Sequence, residues 1–208
     1  MSFAGFPDEA LVFYEGLEAD NSKAYWTDHR HVYDECVAAP MKAMLAELEP
    51  DFGAAKVFRP YRDVRFSKDK TPYKTRQDAV VHQGDQAALW LGLGADGLHV
   101  GGGLFRPDAE QVRRLRAAVA DERTGSALVA VLTELRANGW QVAGEHLKRV
   151  PQPWDDSHAR ADLLRHKSLV ARVTHPPQAW LHTPRAKEQV AAGWRALQPL
   201  NDWLAQSV

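Results

Sequence analysis

Seven basic residues crowd one short segment: Arg59, Arg62, Arg65, Lys68, Lys70, Lys74 and Arg76, with only Asp63 and Asp69 against them. That local +5 leaves −6 for the rest of a chain whose formal net charge is −1. If residues 58–66 are extended, side chains alternate between faces, and Arg59, Tyr61, Asp63 and Arg65 share one. Two guanidinium groups would then flank a carboxylate. Arginine offers a planar fork of donors that suits phosphate or carboxylate, and Asp63 would orient the forks or act as a base. The following SKDKTPYK reads as a loop, with Pro72 fixing one backbone angle, and would lay Lys68, Lys70 and Lys74 over the same site. The ligand-binding candidates are therefore Arg59, Arg62, Arg65, Lys68, Lys70 and Lys74. Asp63, Asp69, Tyr73 and His82 are the nearby acid–base candidates. The competing reading is architectural: an Arg-Asp-Arg ladder can satisfy only its own charges, and charge runs are usually solvated faces.

Other motifs carry less. GLGADG (92–97) fits a dinucleotide fingerprint by letter, but a strand-like LHVGGGLF follows where a helix is required, so Asp96-Gly97 reads as a hairpin turn. Three consecutive glycines, Gly101 to Gly103, weaken a strand unless something must come close to its backbone. A bulge, a crossing helix or a ligand would each explain them, and Gly102 is counted among the ligand-binding candidates. His29 and His31 lie two apart, on different sides of a helix, and neither HExxH nor CxxC occurs, so no metal and no cofactor is expected. Cys36 on an apolar stripe reads as packing. There is no GxSxG elbow and no GK[ST].

The elements that must position these residues follow from periodicity. Apolar residues at helical spacing fill residues 8–50, with Asp20 or Asn21 as a cap and Pro40 opening a further helix. From 56 to 105 the period becomes two, with Gly84-Asp85 and Asp96-Gly97 as turns, which predicts an antiparallel meander. Asp108 with Gln111 caps a helix, Asn138-Gly139 ends the second helix of the 108–138 stretch, and residues 140–208 mix strands at 140–143 and 168–174, a short helix at 159–164 and a tail broken by Pro199. An α+β single domain over 1–208 results: a largely antiparallel sheet flanked by N-terminal, central and C-terminal helices.

Composition bounds the function. The chain has 208 residues, 45% apolar and 25% charged, and the near-neutral balance disfavours a generally basic nucleic-acid binder. A single cysteine, no secretory signal and no apolar run of membrane length point to a cytoplasmic protein with no membrane partner.

FRPYRDVRFSKDKTPYKT resembles the signature of the domain-of-unknown-function family 2461, an uncharacterised family of bacteria and fungi. NSKAYW with His29 and Tyr33, GGGLFRPD, LKRVP and the DDSH…LLRHKSL stretch extend the resemblance across nearly the whole chain. Lys148, Arg149, His158, His166 and Lys167 resemble that family's second polar cluster. The resemblance implies one domain whose signature is the basic segment, and no established activity. This chain has Asp20-Asn21 where the family often has paired asparagines. Three functions are therefore carried forward: a pocket for a small anionic ligand, phosphate or carboxylate, with catalysis left open; a nucleic-acid module in which Tyr61, Phe66 and Tyr73 stack bases between the cations; and a non-catalytic scaffold. The sequence is silent on oligomeric state.

Overall fold

The computed structural model describes residues 2–65 and 67–208. Helix α1 (Asp8–Ala19) carries Asp8 and Glu9 in its first turn, where the helix dipole favours them. Helix α2 (Lys23–Val32) is capped by Ser22, whose hydroxyl accepts the Tyr25 N–H at 3.1 Å, so neither Asp20 nor Asn21 is the cap. The helix does not restart at Pro40. Instead Tyr33–Ala38 winds as a π-helix and continues directly into α3 (Ala39–Phe52). Proline offers no N–H to the carbonyl four residues back and its ring crowds that carbonyl; the wider turn just before Pro40 absorbs both without ending the run.

Six strands form one sheet in the order β1-β2-β3-β4-β6-β5: β1 (Ala55–Val57), β2 (Arg76–Gln83), β3 (Ala87–Gly94), β4 (Gly97–Leu104), β5 (Gln141–Ala143) and β6 (Leu169–His175). The pairs β1–β2 and β5–β6 are antiparallel, and short turns close β2–β3 and β3–β4 as the two turn dipeptides predict. Gly97, at φ +109°, is needed at its turn because a Cβ there would lie 2.2 Å from the His175 carbonyl oxygen. The expected meander is interrupted, however. After β1 the chain leaves the sheet for residues 58–75, where Pro60 and Pro72 have no N–H to give a ladder.

Between β4 and β5 come α4 (Ala109–Ala120) and α5 (Glu122–Ala137); α6 (Ala161–Leu164) precedes β6, and α7 (Arg185–Ala196) and α8 (Gln198–Ser207) close the chain, broken beside Pro199. This is an α+β fold. Among the described residues no helix is long and apolar enough to cross a membrane.

The chain divides into two compact units of interleaved segments. The first comprises Met1–Val81, Trp90–Val100 and Thr174–Ala192, and Phe6, Phe13, Leu17, Met41, Met44 and Leu91 are buried in it. The second comprises His82–Leu89, Gly101–Val173 and Gly193–Val208, with Leu115, Leu128, Leu132, Trp194 and Leu204 buried. Each such side chain contributes about 1.5–3 kcal/mol by leaving water.

Helix α4 shows how the second unit satisfies its backbone. Asp108 and Gln111 form a reciprocal cap at its start, with bonds of 2.8 and 2.9 Å. At its end the buried Arg160 donates from Nε to the Val119 carbonyl at 2.7 Å and from Nη2 to the carbonyls of Ala120 and Asp121 at 3.1 and 3.2 Å. Glu122, at 3.0 Å, completes the fork. Arg160→Ala leaves these acceptors unpaired, and we expect a loss of about 2–4 kcal/mol in urea unfolding at unchanged m-value. Arg160→Lys, lacking the fork, should recover less than half of it; a neutral Arg160→Ala would contradict this role.

Candidate functional site

The basic loop, residues 58–75, is closed at a neck. Tyr61 and Tyr73 form an isolated antiparallel bridge, the Arg62 N–H donates to the Pro72 carbonyl at 2.9 Å, and the Lys74 N–H donates to that of Pro60 at 2.8 Å. Asn21, freed from capping, clasps Tyr73 from the side: its Oδ1 accepts the Tyr73 N–H at 3.0 Å and its Nδ2 donates to the Tyr73 carbonyl at 3.1 Å. The Tyr73 ring stacks on Trp26 at 4.4 Å and 9°. Further in, the Tyr33 hydroxyl donates to Gln77 Oε1 at 2.5 Å, and Gln77 Nε2 donates to the Phe58 carbonyl at 2.7 Å. Burial pushes the Tyr33 pKa up to about 12, so this hydroxyl remains a donor.

Within the loop the arginines find carboxylates close by in sequence. Arg65 grips Asp63 through Nε at 2.9 Å and Nη2 at 2.7 Å; Arg62 Nη1 meets Asp69 Oδ2 at 2.5 Å and Thr71 Oγ1 at 2.6 Å. Lys70 donates to the Val64 carbonyl at 3.0 Å, and the Lys74 ammonium lies 5.0 Å from the centre of the Phe58 ring. Residues 58–65 do not form a strand, yet Arg65 bonds Asp63 and the Arg59 charge also acts on that carboxyl. Arg59 and Lys68 are exposed.

The acid–base candidates are correspondingly committed. The hydrogen bonds from Arg65 hold the Asp63 carboxyl below its ordinary pKa, and the backbone and side-chain bonds of Thr71 do the same for Asp69. Lowered pKa values make both weak bases near neutral pH. Tyr73 is buried against Trp26, so it is not open to a stacking base, and desolvation raises its pKa. Tyr61 is 43% exposed, whereas Phe66 lies outside the described residues. His82 is exposed on β2, in the segment of that strand assigned to the second unit.

Gly102 is a correction. It is buried, and a Cβ on it would lie 3.0 Å from Leu197 Cδ1 and 3.1 Å from the Ala88 carbonyl oxygen. The glycine makes room for a leucine at the head of α8, not for a ligand. Cys36 is half-buried and its pKa is raised by desolvation, as a packing thiol's would be. Among the described residues no three His, Cys, Asp or Glu are placed to hold a metal ion.

A second place draws cations together without pairing them. In the second unit a cleft of about 620 Å³ is bounded by residues 105–109, Val112, Arg116, Glu145, Leu147, Lys167 and Ser168. Arg106, Arg116 and Lys167 line it, and none has a carboxylate partner among the described residues. Arg116 Nε donates to the Leu164 carbonyl at 3.1 Å, and desolvation lowers the pKa of its guanidinium. Of the two acids, Asp108 is spent on the α4 cap and Glu145 is exposed. Phe105, Pro107, Val112 and Leu147 give the cleft an apolar wall. Its rim is drawn from GGGLFRPD, LKRVP and LLRHKSL, three of the stretches that carry the family resemblance. Arg106 and Arg116 are missed from sequence, although Arg116 stands four residues after Val112 on the stripe of α4, where a charge is out of pattern.

The six-stranded sheet and its flanking helices define the class, an α+β protein. Residues 9–203 of the 208 match the model of the family described as "Conserved hypothetical protein (DUF2461)", and the chain belongs to that family. No curated protein and no solved structure matches it.

His166, next to Lys167, gives this region a pH signature. Its Nδ1 lies 2.9 Å from the Ser168 carbonyl, which accepts its proton, and its pKa is depressed from the ordinary 6.5, first by burial and then by the His146 and Arg136 charges. His175 is depressed for the same first reason. Below pH 6.5 the unfolded chain gains protons that the folded imidazoles refuse, so this stability is whole above pH 6.5 and is lost as pH falls from there toward the depressed folded values. Urea midpoints should decline from about pH 7 to about pH 5, less steeply in His166→Asn. Equal slopes in the two proteins would contradict the burial of this imidazole.

Proposed function

We propose that the protein binds a small anion, phosphate or carboxylate, in the cleft of its second unit. The observation that supports this reading is the set of cations without a carboxylate partner, Arg106, Arg116 and Lys167, around one cleft, whereas Arg62 and Arg65 of the loop are paired within it. A cation already half out of water gains more from an anion than a hydrated one, and Arg116 can still offer its terminal fork. A volume of about 620 Å³ suits a metabolite-sized ligand. The chain's one cysteine, held as a free thiol, fits a cytoplasmic setting.

Thermal unfolding against phosphates, nucleotides, carboxylates and short single-stranded oligonucleotides, at low and moderate salt, tests the reading. A ligand at about 100 times its Kd adds roughly 2.7 kcal/mol to folding. One small anion should raise the melting temperature, the rise should vanish in Arg116→Gln and in Lys167→Gln, and it should survive in Arg65→Ala. A rise lost in Arg65→Ala but kept in Arg116→Gln would return the site to the loop. Stabilisation by oligonucleotides alone, falling steeply with salt, would favour the nucleic-acid reading.

A further inference from the structure

The turn between β3 and β4 and the end of β6 bring three side chains of the first unit into a line that no linear motif announces. His99 is 7% exposed on β4; its Nε2 lies 2.7 Å from Asp96 Oδ1 and its Nδ1 lies 3.0 Å from Thr174 Oγ1. An ionised carboxylate has no proton to donate, so Nε2 carries the hydrogen. In the neutral imidazole Nδ1 is then the acceptor, and the Thr174 hydroxyl donates to it. Hydroxyl, imidazole and carboxylate stand in the order of a nucleophile, its base and the group that orients the base, an arrangement recognised by geometry and not by sequence position.

The environments of the three groups suit those roles. The imidazole is shielded from water, while Thr174 is exposed and open to a substrate. Asp96 is 69% exposed, and its carboxylate oxygen, 2.7 Å from Nε2, is placed to accept the Nε2–H. The Trp90 ring, 5.9 Å from the imidazole, places an apolar surface beside it. The carboxylate of Asp96 repels a phosphate monoester, so a neutral carbonyl centre is the better electrophile for this hydroxyl.

We propose that Thr174 is the nucleophile of an acyl-transfer site, with His99 as general base and Asp96 as the residue that positions His99, and that its substrates are esters or thioesters. Thr174 Oγ1 attacks the carbonyl carbon as its proton passes to His99 Nδ1. The bond to the leaving alkoxide or thiolate breaks, and that group departs with the proton from His99, leaving the acyl group on Thr174. Water, deprotonated by the same imidazole, then releases the carboxylic acid and restores the hydroxyl. The balance requires no redox partner, and the site does not depend on the anion cleft.

The test uses p-nitrophenyl acetate, with nitrophenolate release and the mass of the peptide containing residue 174 as readouts. Wild type should release nitrophenolate at least about 100-fold faster than Thr174→Ala. Thr174→Ser should restore the rate, and any trapped acetyl group should sit on residue 174. Asp96→Asn, a change at an exposed turn, should slow release at least about tenfold at an unchanged melting temperature, because the imidazole loses the partner that fixes its tautomer. His99→Gln should match Thr174→Ala in rate, and a melt of that variant separates loss of chemistry from loss of fold. Equal rates in wild type and Thr174→Ala, or acetylation confined to lysines, would overturn the proposal. So would a rate indifferent to Asp96→Asn.

Discussion

A guanidinium drawn away from water must be given acceptors, and much of this structure is arranged around where each one finds them. Arg160 is almost wholly buried because the end of α4 presents three carbonyls in reach of its fork. Arg65 and Arg62 find Asp63 and Asp69 a few residues away, and that local pairing lets a loop with so many cations fold back on a narrow neck. Exposed pairs of this kind are worth little individually. Their effect is directional: they turn the charges of the loop toward one another, while Asn21, Trp26 and Gln77 hold its two ends. In the cleft of the second unit the half-buried Arg116 gives its Nε–H to the Leu164 carbonyl, while Arg106 and Lys167 stand exposed beside it with no carboxylate partner among the described residues.

Two of the hydroxyl–acceptor arrangements of the first unit differ by burial. The Tyr33 hydroxyl is buried, held protonated and tied to Gln77, whose other end fixes the loop; it works as a joint. The Thr174 hydroxyl is exposed and faces an imidazole whose far nitrogen is held by a carboxylate. Burial of the hydroxyl makes the first a piece of architecture, and burial of the base beneath an open hydroxyl gives the second its capacity for chemistry.

The hairpins, the reciprocal cap of α4 and the break at Pro199 were legible because each is encoded within a few residues: a turn dipeptide, a cap and its partner three apart, a missing N–H. The alternation at 58–66 misled because it presupposed a ladder, and two prolines with local ion pairs remove one. Asn21 and Ser22 are both able to cap, and sequence does not say which is also needed to clasp Tyr73 from 52 residues away. The glycine run announced a close approach without naming its cause, which in the case of Gly102 is Leu197. The cleft and the Asp96–His99–Thr174 line were out of reach, since each joins residues from separate elements, His99 and Thr174 standing 75 positions apart.

The anion site proposed is the cleft of the second unit, lined by Arg106, Arg116 and Lys167, and not the basic loop. Amide hydrogen exchange with and without saturating inorganic phosphate addresses it segment by segment. The account predicts slowed exchange at residues 105–116, 145–147 and 167–168, with residues 58–75 unchanged. Slowed exchange confined to 58–75 would contradict it and make the basic loop the site.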